Sequence, residues 1–440
     1  MKEQEKIPTS KVERATRLLR TGAKVGRNYA VHYTKKIFDR DLDRSELDSK
    51  NASDIYGELS QLKGGALKVA QMLSMDKGML PREFTSKFAL AQYSAPPLSG
   101  PLVVRTFKQQ FGKTPLEMFD EFDMQASHAA SIGQVHRAKL NGQTLAVKIQ
   151  YPGIADSIKS DLRMVRPIAS RVMKVNDADM AKFFNEVEER MMEETNYRLE
   201  LANAVEIGNA CQHIPNIRFP KYFPELSSDR ILTMEWLEGM HMREFMDTNP
   251  SQEIRNQIGQ ALWDFTTYQL HVLGKVHADP HPGNFLMTPD GKLGVLDFGC
   301  VKVIPKDFYN AYFSVIHPSV RHNPERLLAV TYALELLNKE DTQADKDFIL
   351  NLLDNFLSLV EKPFYADEFD FGDDRYLDDL YKFGMEVGRL SDVQQKHGGR
   401  GSAHAIYVNR TMFGLMSLLN EFKVTIRSRD KYILELDLAS

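Results

Sequence analysis

Three side chains within one short stretch of the chain have the types and spacing for phosphoryl chemistry. Asp279 is followed five positions later by Asn284, and Asp297 stands thirteen positions beyond that, at the head of Asp297-Phe298-Gly299. A transferring phosphoryl group needs one carboxylate to orient the nucleophile or accept its proton, which suits Asp279. It also needs hard oxygen ligands that hold Mg²⁺ on the phosphates, which suits Asn284 and Asp297. Gly299 is expected to let the backbone turn sharply after the metal ligand. A rival chemistry takes His277, Asp279 and His281 as metal ligands of a hydrolase, because alternate residues of a strand share a face. Pro280 and Pro282 argue for a loop instead, and the sequence offers no further His/Asp cluster to complete such a site.

In order and spacing, His277 to Asn284 followed by Asp297-Phe298-Gly299 matches the catalytic loop and metal-binding turn of protein kinases. Leu145-Ala146-Val147-Lys148 resembles the kinase strand whose lysine contacts the α- and β-phosphates. Such a lysine needs a carboxylate from a following helix, and Glu194 is the expected partner. Ahead of the lysine there is no G-x-G-x-x-G; Ala129-Ala130-Ser131-Ile132-Gly133 stands in its place. An Ala-rich turn cannot approach phosphate as closely as glycine does. Its N–H groups and the Ser131 hydroxyl still point at anions.

The elements that must position these groups can be read from periodicity. Ala129 to Ile149 alternates with period two around the turn Asn141-Gly142, a strong hairpin signal. Ile231 to Trp236 reads as a further strand. Residues 180–210 read as acidic helix, and the chain from about residue 250 is mostly helical. That helical half is interrupted by one strand-rich stretch, Gly283 to Val303. Asp367 to Asp379 reads as a solvated loop and helix face, and residues 403–421 as an amphipathic helix. Residues 11–38 carry eight Lys or Arg against the single acid Glu13, with apolar residues at helical spacing. This is a helix packed on its own protein or one resting on an anionic membrane. The outline is an α+β, two-lobed, protein-kinase-like fold. A helical extension over 1–100 precedes an N-lobe over 101–238 and a helical C-lobe over 239–440.

The loop Ala129 to His136, the strand Ala146 to Gly153 and His277 to Asn284 together resemble the UbiB-type atypical kinase-like family. Its K-x-G-Q motif is matched by Lys68-Val69-Ala70-Gln71, and its E-x-D motif by Glu194-Thr195-Asn196, with Glu200 six residues after Glu194. The resemblance covers about residues 55–305. It departs from the family pattern at Ala70, His128 and Asn196. The resemblance implies that the K-x-G-Q helices fold over the nucleotide site. It implies ATP and Mg²⁺ as cofactors, and an ATPase or small-molecule kinase that supports ubiquinone or other prenyl-lipid pathways. It further implies that Lys68 and Gln71 reach the active site with Glu200 near Gln71, and that Lys148 pairs with Glu194.

Composition removes other classes. The net charge of −4 gives no reason to expect a nucleic-acid surface. Two cysteines, Cys211 and Cys300, make no disulfide framework, which suits a reducing cytosol. No run approaches the roughly 20 apolar residues that cross a bilayer. The expectation is a cytoplasmic enzyme, at most peripheral to a membrane, whose partners are nucleotide and a prenyl-lipid or quinone precursor. Two other readings stay open: a catalytically weak nucleotide- or lipid-binding module, and a kinase of a small soluble molecule.

Overall fold

A computed structural model describes residues 11–38, 45–62, 98–129, 132–173, 177–389 and 400–436, together with Phe84 and Lys87. The chain divides into two compact units, one of residues 1–202 with 221–236 and one of 203–220 with 237–440.

The first unit is built on an antiparallel sheet. Strands β3 (Gly133–Leu140) and β4 (Gln143–Gln150) form a hairpin across Asn141 and Gly142, whose φ values of 52° and 77° are both left-handed. Asn-Gly is the dipeptide that tolerates this pair of angles, and such a turn matches the twist of the strands it joins. Short strands β1 (Glu121–Phe122) and β2 (His128–Ala129) pair with β3, and β6 (Ile231–Glu235) pairs with the far edge of β4. β4 is therefore paired on both edges. Leu145, Val147 and Ile149 are buried in a core that also takes Ile158, Leu162, Val187 and Met191.

Those last four residues come from α3 (Ile154–Met173) and α4 (Asp177–Glu194). Against α3 lies α1 (Lys11–Phe38), which in turn packs on α2 (Ser45–Leu62). The basic helix of the sequence is thus packed on its own protein, through an ion pair that periodicity could not reveal. Arg14 is 1% exposed and Asp161 fully buried; Arg14 donates from Nε and Nη2 to the two carboxylate oxygens at 2.6 and 2.5 Å. Arg14 Nη1 also donates to the Leu62 carbonyl at 2.7 Å, and the Ser157 hydroxyl donates to Asp161 at 3.0 Å. Burial pushes the Asp161 carboxyl up, and the Arg14 guanidinium pulls it back. Lys24 and Arg17 pair with Asp54 and with Glu13 and Glu58.

In the second unit β9 (Leu293–Val295) pairs antiparallel with β8 (Phe285–Met287) and parallel with β5 (Ile217–Arg218). Strands β7 (Lys275–His277) and β10 (Val301–Val303) form a second ladder. Around them run α6 (Gln252–Tyr268), a π-helical turn Gln269–Leu273, and later helices that include α7 (Ala403–Glu421). The π-helical turn ends at Gly274, whose φ is 59°. Cys211 and Cys300 are buried and unbonded to each other. Among the described residues no helix is long and apolar enough to cross a membrane.

Candidate active site

Lys148 lies in the centre of the first unit's sheet, opposite Val135 on one side and Leu232 on the other. Its Nζ donates to Glu200 Oε1 at 2.7 Å, with side chains 15% and 1% exposed. The ammonium also sits 5.1 Å from the centroid of the Tyr197 ring. Glu200 is the carboxylate these contacts bring to the lysine. Glu194 is the last residue of α4, and Thr195 and Asn196 then break the helix. A new helix, α5 (Tyr197–Cys211), presents Tyr197 and Glu200 three residues apart on one face. Asn196 caps it: its side-chain oxygen accepts the Leu199 N–H at 3.1 Å. Asn and Asp cap helices about equally well, so the departure from E-x-D keeps this part of the geometry.

Sequence reasoning passed over Gln150, two residues from Lys148 and so on the same face of β4. Gln150 Nε2 donates to the Thr195 carbonyl at 2.9 Å, while Arg230 Nη1 donates to Gln150 Oε1 at 2.6 Å. The strand thereby holds the α4–α5 corner at two points. Gly133 is needed for the same reason. A Cβ there would lie 2.7 Å from the Tyr197 hydroxyl and 2.7 Å from the Ile149 carbonyl. Ala129 pairs with Gln134 in β2 and β3. Ala130, Ser131, Lys68 and Gln71 lie outside the described residues.

The second unit holds the aspartates in a frame of hydrogen bonds. His277 Nδ1 accepts the Asp279 N–H at 3.4 Å, which leaves the ring proton at Nε2 to be donated to the Asp297 carbonyl at 2.5 Å. With both ring nitrogens so used, His277 does not serve as a metal ligand. His281 Nδ1 accepts the Gly283 N–H at 3.0 Å and caps the short turn that follows. Asn284 Nδ2 donates to the Asp279 carbonyl at 3.0 Å and reaches its carboxylate at 3.5 Å. The Leu296 N–H donates to the Asn284 carbonyl at 3.0 Å, so the two metal-ligand candidates are tied through adjacent backbone. Asp297 Oδ1 accepts the Gly299 N–H at 2.8 Å. Gly299 is not among the residues with left-handed φ, so its part is that of a donor rather than the sharp turn expected of it.

The remaining support is remote in sequence. Gln269 Oε1, in the π-helical turn, accepts the His277 N–H at 3.0 Å. Phe298 is fully buried, its ring edge-on to His277 with centroids 5.7 Å apart. Pro280 packs against α7, where a Cβ at Gly414 would fall 2.1 Å from Pro280 Cγ. No motif marks Gly414; it makes room for the catalytic loop from 134 positions away.

Two of these side chains fit the metal that the fold implies. The amide nitrogen of Asn284 is engaged by Asp279, which leaves its oxygen as the atom to offer a cation. Asp297 accepts the Gly299 N–H with one oxygen and would bring a carboxylate, a hard oxygen donor, to the cation. Two hard oxygen ligands from protein suit Mg²⁺, which commonly takes the rest of its octahedral shell from phosphates and water.

The family comparison agrees with this geometry. Residues 90–331 match the ABC1 atypical kinase-like domain. The chain is similar to the yeast "Atypical kinase COQ8, mitochondrial", 28% identical over 83% of this chain and 74% of that one. It is also similar to zebrafish "Atypical kinase COQ8B, mitochondrial", 29% identical over 75% of this chain and 53% of that one. An Arabidopsis aarF domain-containing protein kinase, described as uncharacterized and chloroplastic, is 31% identical over 64% of this chain. This chain spans only 40% of that relative's length. A solved structure, the complex of Rv3197 with erythromycin from Mycobacterium tuberculosis, superposes with a TM-score of 0.61 at 28% identity. It covers 89% of this chain and 97% of that one. The motifs, the frame around Asp279 and Asp297, and a family match over more than half its length agree: the chain belongs to the ABC1 atypical kinase-like family.

Proposed function

We propose that this protein is a Mg²⁺-dependent ATPase or phosphotransferase that serves isoprenoid-quinone or lipid metabolism. The observation that carries the reading is the frame that fixes Asp279, Asn284 and Asp297 through His277 and the intervening backbone. When bound, Mg²⁺-ATP would supply the transferable phosphoryl group and the cation that offsets its charge. Asn284 and Asp297 would hold the metal. Lys148, kept in place by Glu200 and the Tyr197 ring, would bear on the α- and β-phosphates. Asp279 would accept the proton of the attacking hydroxyl or water. The quinone or lipid link rests on the motif resemblance and on the kinship with COQ8-type proteins.

The test is ATP turnover in Mg²⁺ against EDTA, alongside thermal-shift titration with nucleotide. Stabilisation by ATP that requires the metal and is lost in Asp297→Ala is the expected result. Equal stabilisation in EDTA would count against the assignment. Turnover that rises with liposomes carrying a quinone-precursor mimic, and not with bare buffer, would support the lipid side of the reading.

A further inference from the structure

A cavity of the second unit lies away from the aspartates. Its volume is about 270 Å³ and its walls include Trp263, Tyr268, Arg427, Lys431 and Tyr432. That volume equals roughly nine waters at about 30 Å³ each, enough for a molecule of one-ring size. The residues come from α6 and from the chain after strand β11 (Thr425–Ile426); the Arg427 N–H donates to Gln260 Oε1 at 2.9 Å, and Gln260 Nε2 donates to the Arg427 carbonyl at 3.0 Å.

The wall carries three basic side chains, Arg427, Arg429 and Lys431, against two acids, Asp264 and Asp430. Arg427 and Lys431 are exposed, and neither forms an ion pair among the described residues. The acids nearby are already engaged. Asp264 accepts from Gln260 Nε2 at 2.9 Å, and burial raises its carboxyl. Asp430 caps the turn 431–434 and meets His271 Nε2 at 2.9 Å. Trp263 is only 3% exposed and lines the cavity wall. Aromatic rings of Trp263, Tyr268 and Tyr432 supply apolar wall for a flat ring.

We propose that this cavity is a second ligand site, for a small aromatic molecule bearing a phosphate or carboxylate group. The oxyanion meets Arg427 and Lys431, while the ring lies against the aromatic wall. Nothing in the nucleotide reading requires this site, and its failure would leave that reading untouched.

The chain has two tryptophans, and the other, Trp236, lies in the first unit with the Arg137 guanidinium 5.1 Å from its ring. In a Trp236→Phe background Trp263 is therefore a single reporter at the cavity wall. Phenyl phosphate should change its emission saturably. Binding should weaken about tenfold or more in Arg427→Gln/Lys431→Gln, whose exposed side chains leave the core intact. It should persist in Asp297→Ala. Inorganic phosphate and benzyl alcohol should each bind more weakly than phenyl phosphate. The proposal is overturned by an absence of saturable change, by binding indifferent to the double substitution, or by loss of binding in Asp297→Ala. Equal binding of inorganic phosphate or of benzyl alcohol would overturn it as well.

Discussion

Lys148 is held by a carboxylate that arrives from a different element, whereas Asp279, Asn284 and Asp297 are held by one another's backbone within 19 positions of chain. The lysine arrangement depends on where a helix breaks and restarts. The aspartate arrangement depends on a local hydrogen-bond frame, with Gln269 and Gly414 added from afar. A side-chain pair can be broken by one substitution without moving the backbone around it. A backbone frame resists most single changes but fails as a whole when a ligand or a packing surface is lost. The two regions should therefore answer mutation differently.

The largest effect should come from Asp297→Ala. It removes both the proposed metal ligand and the acceptor of the Gly299 N–H. Turnover should fall on the order of 10³-fold, because charge stabilisation by the held metal is the main catalytic term in phosphoryl transfer. Circular dichroism should show the fold retained. A variant that turns over ATP within about tenfold of the parent would remove Asp297 from the metal site.

Arg14→Leu tests a structural pair against these functional ones. It strands the Asp161 carboxylate in the core, at a cost of about 3–5 kcal/mol in unfolding free energy. Denaturant titration measures it. Because burial already raises the Asp161 pKa, the stranded carboxyl should be protonated in the folded variant at higher pH than in the unfolded chain. The damage should accordingly shrink as pH falls below that raised pKa and grow as pH rises through it. An effect under about 1 kcal/mol at neutral pH would mean that α1 contributes little to the core.

The lysine pair sets Glu200 against Glu194. Glu200→Gln should lower turnover by about 10–100-fold, the worth of one charge-assisted hydrogen bond at a site that orients phosphate. Glu194→Gln should change it less, because Glu200 is the carboxylate 2.7 Å from the Lys148 ammonium. The reverse ranking would restore Glu194 as the working partner.

How far each region could be read from sequence follows the same division. The β3–β4 hairpin was legible because Asn141-Gly142 encodes its own turn, and Asp279, Asn284 and Asp297 because their spacing is local. Glu200 was placed in the family pattern, but its contact with Lys148 was not foreseen. The sequence reads as one acidic helix over 180–210 and cannot show that it breaks at Thr195 and Asn196, or that Asn196 caps a new helix facing Lys148. Gly414 and Arg14 were illegible for a different reason. Each meets a partner more than a hundred positions away, and neither sits in a pattern that periodicity detects. Gly414→Ala measures that hidden support. Its Cβ would collide with Pro280, costing about 1–3 kcal/mol and displacing the catalytic loop. Gly384→Ala, in helix Asp374–Arg389 with open space around the new Cβ, should instead be neutral or stabilising.

The smallest expected effect concerns α1 and membranes. Arg14, Arg17 and Lys24 already pair with acids of the protein, so the eight basic residues overstate what a lipid surface would meet. Arg20 and Arg27 are exposed and seven positions apart, so they share a stripe with exposed Val31. Two such charges contribute about 1 kcal/mol each near an anionic surface and are screened within a Debye length of roughly 8 Å at physiological salt. Weak, salt-sensitive association with anionic vesicles is expected, with none to neutral ones. Deleting residues 1–40 would not test it cleanly, because the deletion also strips Arg14 from Asp161. Arg20→Gln/Arg27→Gln spares the core, and it should reduce the bound fraction in vesicle sedimentation by up to about 30-fold in partition coefficient. If the double variant sediments with anionic vesicles as the parent does, while both remain folded, α1 contributes nothing to lipid contact through this stripe. Its part would then be the one its buried arginine already performs, holding α2 and α3 together.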